Sequence, residues 1–270
     1  MAAAGAHAFA RSWIEDDKAC DLLFSLRPEA ARRALEGAFP EVDVVVQAEA
    51  ERRRRLLVAD MDSTMIAVEC IDELADYAGL KAEVAAITER AMRGELDFEG
   101  ALRARVALLE GLEASAIDRC RAERVRLTPG ARALVRTMRR DGAATVLVSG
   151  GFTAFAEPVA AEIGFAKVVA NRLVVAEGRL TGEVAPPIVG AATKRQTLLD
   201  SLAEHGLEAA ASLAVGDGAN DVPMLEAAGL GIAYHAKPAA AAAATVRIDH
   251  NDLTALLYAQ AYARSEWEAD

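Results

Sequence analysis

The chain has 270 residues and a net charge of −11, from 30 basic and 41 acidic side chains. Hydrophobic residues make up 53 % and charged residues 26 %, as in an ordinary globular protein. The acidic balance argues against a nucleic-acid-binding protein, which carries a basic surface. No apolar run reaches the ~18 residues of a membrane span, and we expect no signal peptide, because the first residues lack a charged leader followed by a long apolar core. We therefore expect a cytoplasmic protein without a membrane partner.

Three cysteines, Cys20, Cys70 and Cys120, are spread along the chain. An odd number of widely spaced cysteines does not indicate a disulfide framework, and the sequence has no closely spaced zinc-binding pair. We expect free thiols in a reducing compartment.

The first 50 residues predict a small N-terminal α/β accessory segment, too small for an independent core. Residues 1–10 have no periodicity and predict a frayed tail. The pattern over 28–39 predicts an amphipathic helix with Pro28 in its first turn, and the apolar run 42–46 predicts a strand.

From Leu56 onward, short apolar runs alternate with helical patterns, which predicts a doubly wound α/β fold around a parallel sheet. The predicted core strands are 56–59, 144–148, 211–215 and 230–233. The predicted core helices are 131–139, 153–163, 194–205, 221–228, 238–244 and 251–263. The segment 171–183 predicts a β-hairpin that turns at Glu177 and Gly178.

One stretch breaks this alternation. Residues 69–127 contain only helical patterns, which predict helices near 69–78, 81–92, 97–110 and 113–125. We therefore expect a helical insertion over 69–127, with the α/β core formed by 51–68 and 128–270.

Four polar clusters follow the predicted strands or begin a helix, and ligands bind at the carboxyl ends of parallel strands. Asp60 and Asp62 directly follow the first core strand. One such carboxylate can attack phosphorus, and the other can move protons to and from oxygen. A helix N-terminus is the alternative explanation for these residues.

The other three clusters also have more than one explanation. Ser149, Gly150 and Gly151 can hold phosphate oxygens through a hydroxyl and backbone N–H groups, or form a plain turn. Lys194 can neutralise a phosphoryl group or lie in solvent. Asp217, Asn220 and Asp221 lie in a glycine-containing loop that suits Mg²⁺, or form an Asx-rich turn.

Taken together, these clusters resemble those of the haloacid dehalogenase superfamily of phosphohydrolases. The stretches DMDSTMIAVECIDELAD (60–76), AMRGELDFEGALRARVALL (91–109), VSGGF (148–152) and VGDGANDVPML (215–225) are similar to the phosphoserine phosphatase family within it. The resemblance extends over about residues 56–260 and includes the helical insertion.

The resemblance implies an activity and its core residues. The activity is the hydrolysis of O-phospho-L-serine to L-serine and phosphate, the last step of serine biosynthesis, through an aspartyl phosphate. Asp60 matches the nucleophile and Asp62 the general acid/base. Ser149, Gly150 and Lys194 match the phosphate-binding residues. Asp60, Asp62 and Asp217 match the Mg²⁺ ligands, with Asp62 contributing its backbone carbonyl and Asp221 supporting the site.

The same resemblance implies that the insertion is a mobile cap that recognises the amino-acid part of the substrate. Glu69 matches the residue that pairs with the ammonium group, and Arg105 the residue that holds the carboxylate. Met92 and Phe98 match the apolar cap contacts, and Asn220 also matches a substrate-binding position. We expect a monomer or a homodimer.

Three alternatives to this function remain. A phosphotransferase would pass the phosphoryl group from Asp60 to an alcohol such as homoserine. A phosphate-binding regulator would not turn over, although Asp62 and the helical insertion argue against this class. A phosphatase for another small phosphomonoester, such as a phosphosugar, would share the chemistry but not the substrate.

Overall fold

The computed structural model describes residues 8–25, 28–50, 52–92 and 95–269. The N-terminal part begins with an antiparallel pair of strands, β1 (Ala8–Glu15) and β2 (Ala19–Phe24). Helix α1 (Pro28–Leu35) follows them and buries Ala31 and Leu35. The predicted tail over 1–10 is therefore wrong for residues 8–10, which belong to β1, whereas residues 1–7 lie outside the described residues.

The predicted strand over 42–46 is also wrong, because this segment has no strand pairing. Asp43 accepts hydrogen bonds from the backbone N–H groups of Asp249, His250 and Asn251, at 2.8–3.2 Å. A carboxylate therefore attaches the segment to a loop of the core, and Val46 is buried. Val45 and Val46 pack against the core instead, whereas Val42 is exposed.

A seven-stranded sheet forms the core, in the order β6-β5-β4-β3-β7-β8-β9. Its strands are β3 (Leu56–Ala59), β4 (Ala144–Phe152), β5 (Lys167–Ala176), β6 (Arg179–Ala185), β7 (Ser212–Gly216), β8 (Leu230–Tyr234) and β9 (Val246–Ile248). All neighbours are parallel except β5 and β6, which form the predicted hairpin. Glu177 and Gly178 both have positive φ, as a tight hairpin turn requires.

Strand β3 lies at the centre of the sheet, and all four of its side chains are fully buried. Leu57 and Ala59 point into the hydrophobic core on one face, and Leu56 and Val58 into the core on the other. A strand covered on both faces has a continuous apolar sequence, as this one does. The doubly wound α/β fold is confirmed.

The described residues between β3 and residue 131 form four α-helices: α2 (Cys70–Tyr77), α3 (Lys81–Met92), α4 (Phe98–Ala107) and α5 (Ser115–Arg124). The six helices that follow are α6 (Ala131–Arg140), α7 (Thr153–Ile163), α8 (Ala191–Glu204), α9 (Val222–Ala227), α10 (Pro238–Ala243) and α11 (Ala255–Ala259). Every predicted helix after residue 56 is present, although α11 is much shorter than the predicted 251–263. Among the described residues, no helix has the length and apolarity to cross a membrane.

Candidate active site

The carboxyl ends of three neighbouring strands bring the polar clusters to one edge of the sheet. Strand β3 pairs with β4 on one side and with β7 on the other. Asp60 follows β3, Ser149 lies near the end of β4, and Asp217 follows β7. The backbone N–H of Asp60 donates to the carbonyl of Val215 at 3.0 Å, which fixes the start of the Asp60 loop against β7.

Lys194, in the first turn of α8, lies between two carboxylates. Its Nζ is 2.6 Å from Oδ1 of Asp60 and 2.7 Å from Oδ1 of Asp221. The side chains of Lys194 and Asp221 are fully buried, and that of Asp60 is 6 % exposed. Sequence spacing alone permits a solvated lysine, but the structure places this ammonium inside the acidic cluster.

Burial is the main influence on the pKa values of Asp60 and Lys194. It raises the pKa of Asp60 well above its usual range, and the charge of Asp221 raises it further. The ammonium of Lys194 acts in the opposite direction and lowers the pKa of Asp60. Burial alone would lower the pKa of Lys194, but the two carboxylates outweigh it and raise that pKa. Lys194 is therefore a permanent cation, and it favours the ionised form of Asp60.

The loop 61–65 makes a tight turn, closed by a hydrogen bond from the N–H of Ile66 to the carbonyl of Met61 at 3.0 Å, that places Asp62 beside the end of β3. Oδ1 of Asp62 accepts a hydrogen bond from the backbone N–H of Cys70 at 3.1 Å, so the start of α2 holds this carboxylate. Burial and then the nearby charge of Glu69 raise the pKa of Asp62 to about 7. A carboxyl that titrates near neutrality can both donate and accept a proton.

The loop after β7 is organised by Asp221. Its Oδ2 accepts hydrogen bonds from the backbone N–H groups of Asp217 and Gly218, at 3.2 and 3.0 Å. A Cβ at Gly216 would lie 2.4 Å from Cγ of Asp221, so only glycine fits there. Asp221 therefore shapes the loop that presents Asp217.

Asp60, Asp217 and Asp221 bring one carboxylate oxygen each to within 4.8 Å of one another, and all three residues are buried. Clustered oxygen donors are the ligands that a hard divalent cation such as Mg²⁺ prefers. Burial raises the pKa of Asp217 although the nearby Lys237 ammonium opposes this, so added positive charge at Asp217 would favour its ionised form. The donor set therefore fits Mg²⁺.

The β4 side of the site is a wall formed by Ser149, Gly150 and Gly151. The hydroxyl oxygen of Ser149 accepts a hydrogen bond from the N–H of Gly151 at 2.8 Å. A Cβ at Gly151 would lie 2.7 Å from Oδ2 of Asp62, so the absence of a side chain lets β4 approach the Asp62 carboxylate. This wall presents a hydroxyl and backbone groups to the same space as the acidic cluster.

The helical segment, residues 69–127, contacts this site through Phe98 and Glu69. A Cβ at Gly150 would lie 3.1 Å from the Phe98 ring, and one at Gly190 would lie 3.3 Å from it, so the ring covers both glycines. Oε1 of Glu69 accepts a hydrogen bond from the Ser63 hydroxyl at 2.9 Å. Both predicted residues therefore lie at the mouth of the site.

The remaining predicted residues differ in position. Asn220 lies beside Gly150, since its Nδ2 would be 3.8 Å from a Cβ there. Arg105 hydrogen bonds to the carbonyl of Ala101 in its own helix and lines a cleft of 310 Å³ together with Phe98. Met92 ends α3, and its side chain lies outside the described residues.

Sequence reasoning did not identify two residues at the site. Asn171 accepts a hydrogen bond from the N–H of Val189 at 2.7 Å and donates one to the carbonyl of Gly150 at 2.8 Å, which braces the glycine wall. Lys237 lies 3.0 Å from Asp217 and 3.4 Å from Glu69. Its position three residues after the carboxyl end of β8 was the available signal.

A hydrolase family model and several known phosphatases match this chain. The family model of haloacid dehalogenase-like hydrolases matches residues 57–226. The phosphoserine phosphatase of Streptomyces coelicolor is 48 % identical over 238 residues, which are 87 % of this chain and 58 % of that protein. The chain thus spans little more than half the length of this relative. A shorter phosphoserine phosphatase, from Polaromonas sp., is 45 % identical over 75 % of this chain and 88 % of its own length.

A solved structure of a phospho-aspartyl intermediate analogue of phosphoserine phosphatase superposes with a TM-score of 0.70 at 36 % identity. The match covers 76 % of this chain and 98 % of that one. The matched family model covers the helical segment and all three residues of the acidic cluster, Asp60, Asp217 and Asp221. The chain belongs to the haloacid dehalogenase-like hydrolase family.

Proposed function

We propose that this chain is an Mg²⁺-dependent phosphoserine phosphatase, which hydrolyses O-phospho-L-serine to L-serine and phosphate. One observation carries the proposal: Asp60 lies 2.6 Å from the buried Lys194 ammonium and beside the carboxylates of Asp217 and Asp221. The names of the relatives and their extensive identity support phosphoserine as the substrate.

Asp60 is the proposed nucleophile. An oxygen of its carboxylate attacks phosphorus, the bond from phosphorus to the seryl oxygen breaks, and Asp62 gives its proton to that oxygen. Asp62 then takes a proton from water, whose oxygen attacks phosphorus and breaks the bond to Asp60. The pKa of Asp62, raised to about 7, suits a group that must act in both directions.

The proposed metal site uses the carboxylates of Asp60 and Asp217 together with the backbone carbonyl of Asp62. Asp221 has a supporting role, because its carboxylate already accepts hydrogen bonds from Lys194 and two backbone N–H groups. Bound Mg²⁺ supplies positive charge that lowers the repulsion between a phosphate dianion and the carboxylates.

The proposed phosphate site combines Ser149, Gly150 and Lys194. The hydroxyl and the backbone N–H donate hydrogen bonds to phosphoryl oxygens, while the buried ammonium neutralises their charge. Since Lys194 has no exposed surface, its charge acts without screening by bulk water.

The proposed amino-acid site belongs to the helical segment. Glu69 pairs with the substrate ammonium, and Arg105 holds the substrate carboxylate in a two-pronged contact. Phe98 and Met92 supply apolar contact, and Asn220 orients the substrate from the core side. We further propose that residues 69–127 form a cap on a core of 51–68 and 128–270, with 1–50 as an accessory segment.

We also propose a cytoplasmic protein that is a monomer or a homodimer. The described chain keeps Cys20, Cys70 and Cys120 as free thiols, two of them buried. Burial raises the pKa of the Cys120 thiol to about 11 and moves that of Cys70 still further upward. Such thiols are inert and suit a reducing compartment.

The test measures phosphate release from O-phospho-L-serine, with Mg²⁺ and with a chelator, for the native chain and Asp60→Asn. We expect release that requires Mg²⁺ and is lost in the variant. Release from another phosphomonoester but not from phosphoserine would reject the substrate. Transfer to an added alcohol without free phosphate would favour the phosphotransferase instead.

A further inference from the structure

Lys237 bridges two carboxylates that serve different purposes in the proposed function. Its Nζ lies 3.0 Å from Oδ2 of Asp217 and 3.4 Å from Oε1 of Glu69. Its backbone N–H donates to the carbonyl of Asp217 at 2.8 Å, which fixes the base of the side chain. One ammonium therefore links the acidic cluster of the core to the start of the helical segment.

The two lysines of the site differ in freedom. Lys194 is fully buried between Asp60 and Asp221, so it cannot leave. The Lys237 side chain is 62 % exposed and can turn into solvent, where a lysine ammonium is well hydrated. Although the Asp217 side chain is only 6 % exposed, water and salt reach the ammonium and weaken its ion pairs, so a stronger cation can displace it.

Both partners of Lys237 are needed by other cations. On the proposed function, Asp217 holds Mg²⁺ and Glu69 holds the ammonium of the substrate. A second positive charge on either carboxylate repels the incoming cation by Coulomb's law. Mg²⁺ at Asp217 therefore weakens the ion pair between Lys237 and Asp217. The ion pair between Lys237 and Glu69 then remains by itself.

We propose that Lys237 is a positioning residue that acts as an internal counter-ion in the metal-free site. Its ammonium competes with Mg²⁺ for Asp217 and with the substrate ammonium for Glu69. Metal binding displaces the ammonium from Asp217 and leaves only its exposed pair with Glu69, which the substrate ammonium can then replace, so that Mg²⁺ prepares the site for substrate. The inference rests on the proposed function for the identity of the two cations and on the ion pairs for the competition.

The first test titrates the full chain with Mg²⁺ in a calorimeter, without substrate, for the native protein, Lys237→Gln and Lys237→Arg. We expect Lys237→Gln to bind Mg²⁺ about five-fold more tightly, the scale of an exposed ion pair, and Lys237→Arg to remain near the native value. Lys167→Gln is the matched control. Lys167 is exposed and lies outside the site, where its ammonium is 3.0 Å from the carboxylate of Glu204. Equal or weaker Mg²⁺ binding in Lys237→Gln would overturn the proposal.

The second test measures the KM for O-phospho-L-serine over a range of Mg²⁺ concentrations. In the native chain the KM should fall as Mg²⁺ rises, and in Lys237→Gln it should depend less on Mg²⁺. A native-like dependence in the variant contradicts the coupling. If phosphoserine is not hydrolysed at all, the substrate assignment fails, while the metal titration still decides whether Lys237 competes with Mg²⁺.

Discussion

The ammonium of Lys194 lies 2.6 Å from Asp60 and 2.7 Å from Asp221, and it is fully buried. Two buried carboxylates near each other repel, and the shared cation offsets this repulsion. The same ion pairs that favour the ionised form of Asp60, the proposed nucleophile, therefore also contribute to folding. This double role makes Lys194 a residue at which stability and activity should change together.

We predict that Lys194→Met destabilises the metal-free chain by about 3–5 kcal/mol, because it leaves buried carboxylates without a partner. Urea unfolding in the presence of a chelator measures this loss. The double variant Lys194→Met/Asp221→Asn should recover part of it, since one of the two charges is then removed. A single variant as stable as the native chain would contradict the role assigned to the ion pairs.

The raised pKa of Asp62 predicts a pH-dependent stability difference. The folded chain holds this proton up to pH of about 7, whereas the unfolded chain releases it near the ordinary value of 3.8. The folded state therefore binds more protons between these values, and stability falls as the pH rises through the window, by at most about 1.4 kcal/mol per pH unit. Asp62 keeps some contact with solvent, so the change should be smaller than this limit.

Asp62→Asn removes this effect because its side chain cannot ionise. We predict that the variant gains stability relative to the native chain as the pH is raised from 5 to 8 in a chelator. Chemical unfolding at several pH values measures the difference. A constant difference across this range would show that Asp62 has an ordinary pKa.

Gly151→Ala should reduce turnover much more than stability. The added Cβ would lie 2.7 Å from Oδ2 of Asp62 and 3.0 Å from Oγ of Ser149, so it displaces the proposed acid and a phosphate-binding group. A displacement of about 1 Å at a catalytic group lowers the rate about 100-fold. Steady-state kinetics and thermal unfolding measure the two quantities, and an unchanged kcat would argue against the tight approach of β4 to Asp62.

Arg105 and Glu69 should determine substrate preference. We expect the native chain to prefer O-phospho-L-serine over phosphoethanolamine, which lacks the carboxylate. Arg105→Gln should lower this preference in kcat/KM at least about ten-fold, because a charge-assisted hydrogen bond is lost. Glu69→Gln should do the same for analogues that lack the ammonium group.

Arg103→Gln is the control for this experiment, since Arg103 lies on the same helix, is exposed and pairs with Glu99 at 2.7 Å. It should leave the preference unchanged. If Arg105→Gln also leaves it unchanged, the carboxylate is recognised elsewhere.

Local patterns predicted much of the fold. Helix α7 has the predicted bounds of 153–163, and the buried strand β3 has the predicted 56–59. Both have sequence signals that their surroundings reinforce, namely helical periodicity and a continuous apolar run. The patterns failed at 42–46, where the contact of Asp43 with the loop 249–251 prevails over local strand preference.

The location of the candidate site could be predicted in part from the strand pattern. Asp60, Ser149 and Asp217 follow or end strands, and a parallel sheet brings such positions together. Lys237 and Asn171 were missed because their roles depend on contacts with residues 168 and 18 positions away in the chain. No local pattern contains those pairings.

If Asp60 forms a covalent acyl phosphate, as we propose, this intermediate can be trapped by rapid quenching. The chain is mixed with radiolabelled O-phospho-L-serine and Mg²⁺, quenched in acid and digested. We expect label on the peptide that contains Asp60, persistence of this label in Asp62→Asn and its absence in Asp60→Asn. Label on a different residue, or phosphate release by Asp60→Asn at the native rate, would rule out Asp60 as the nucleophile.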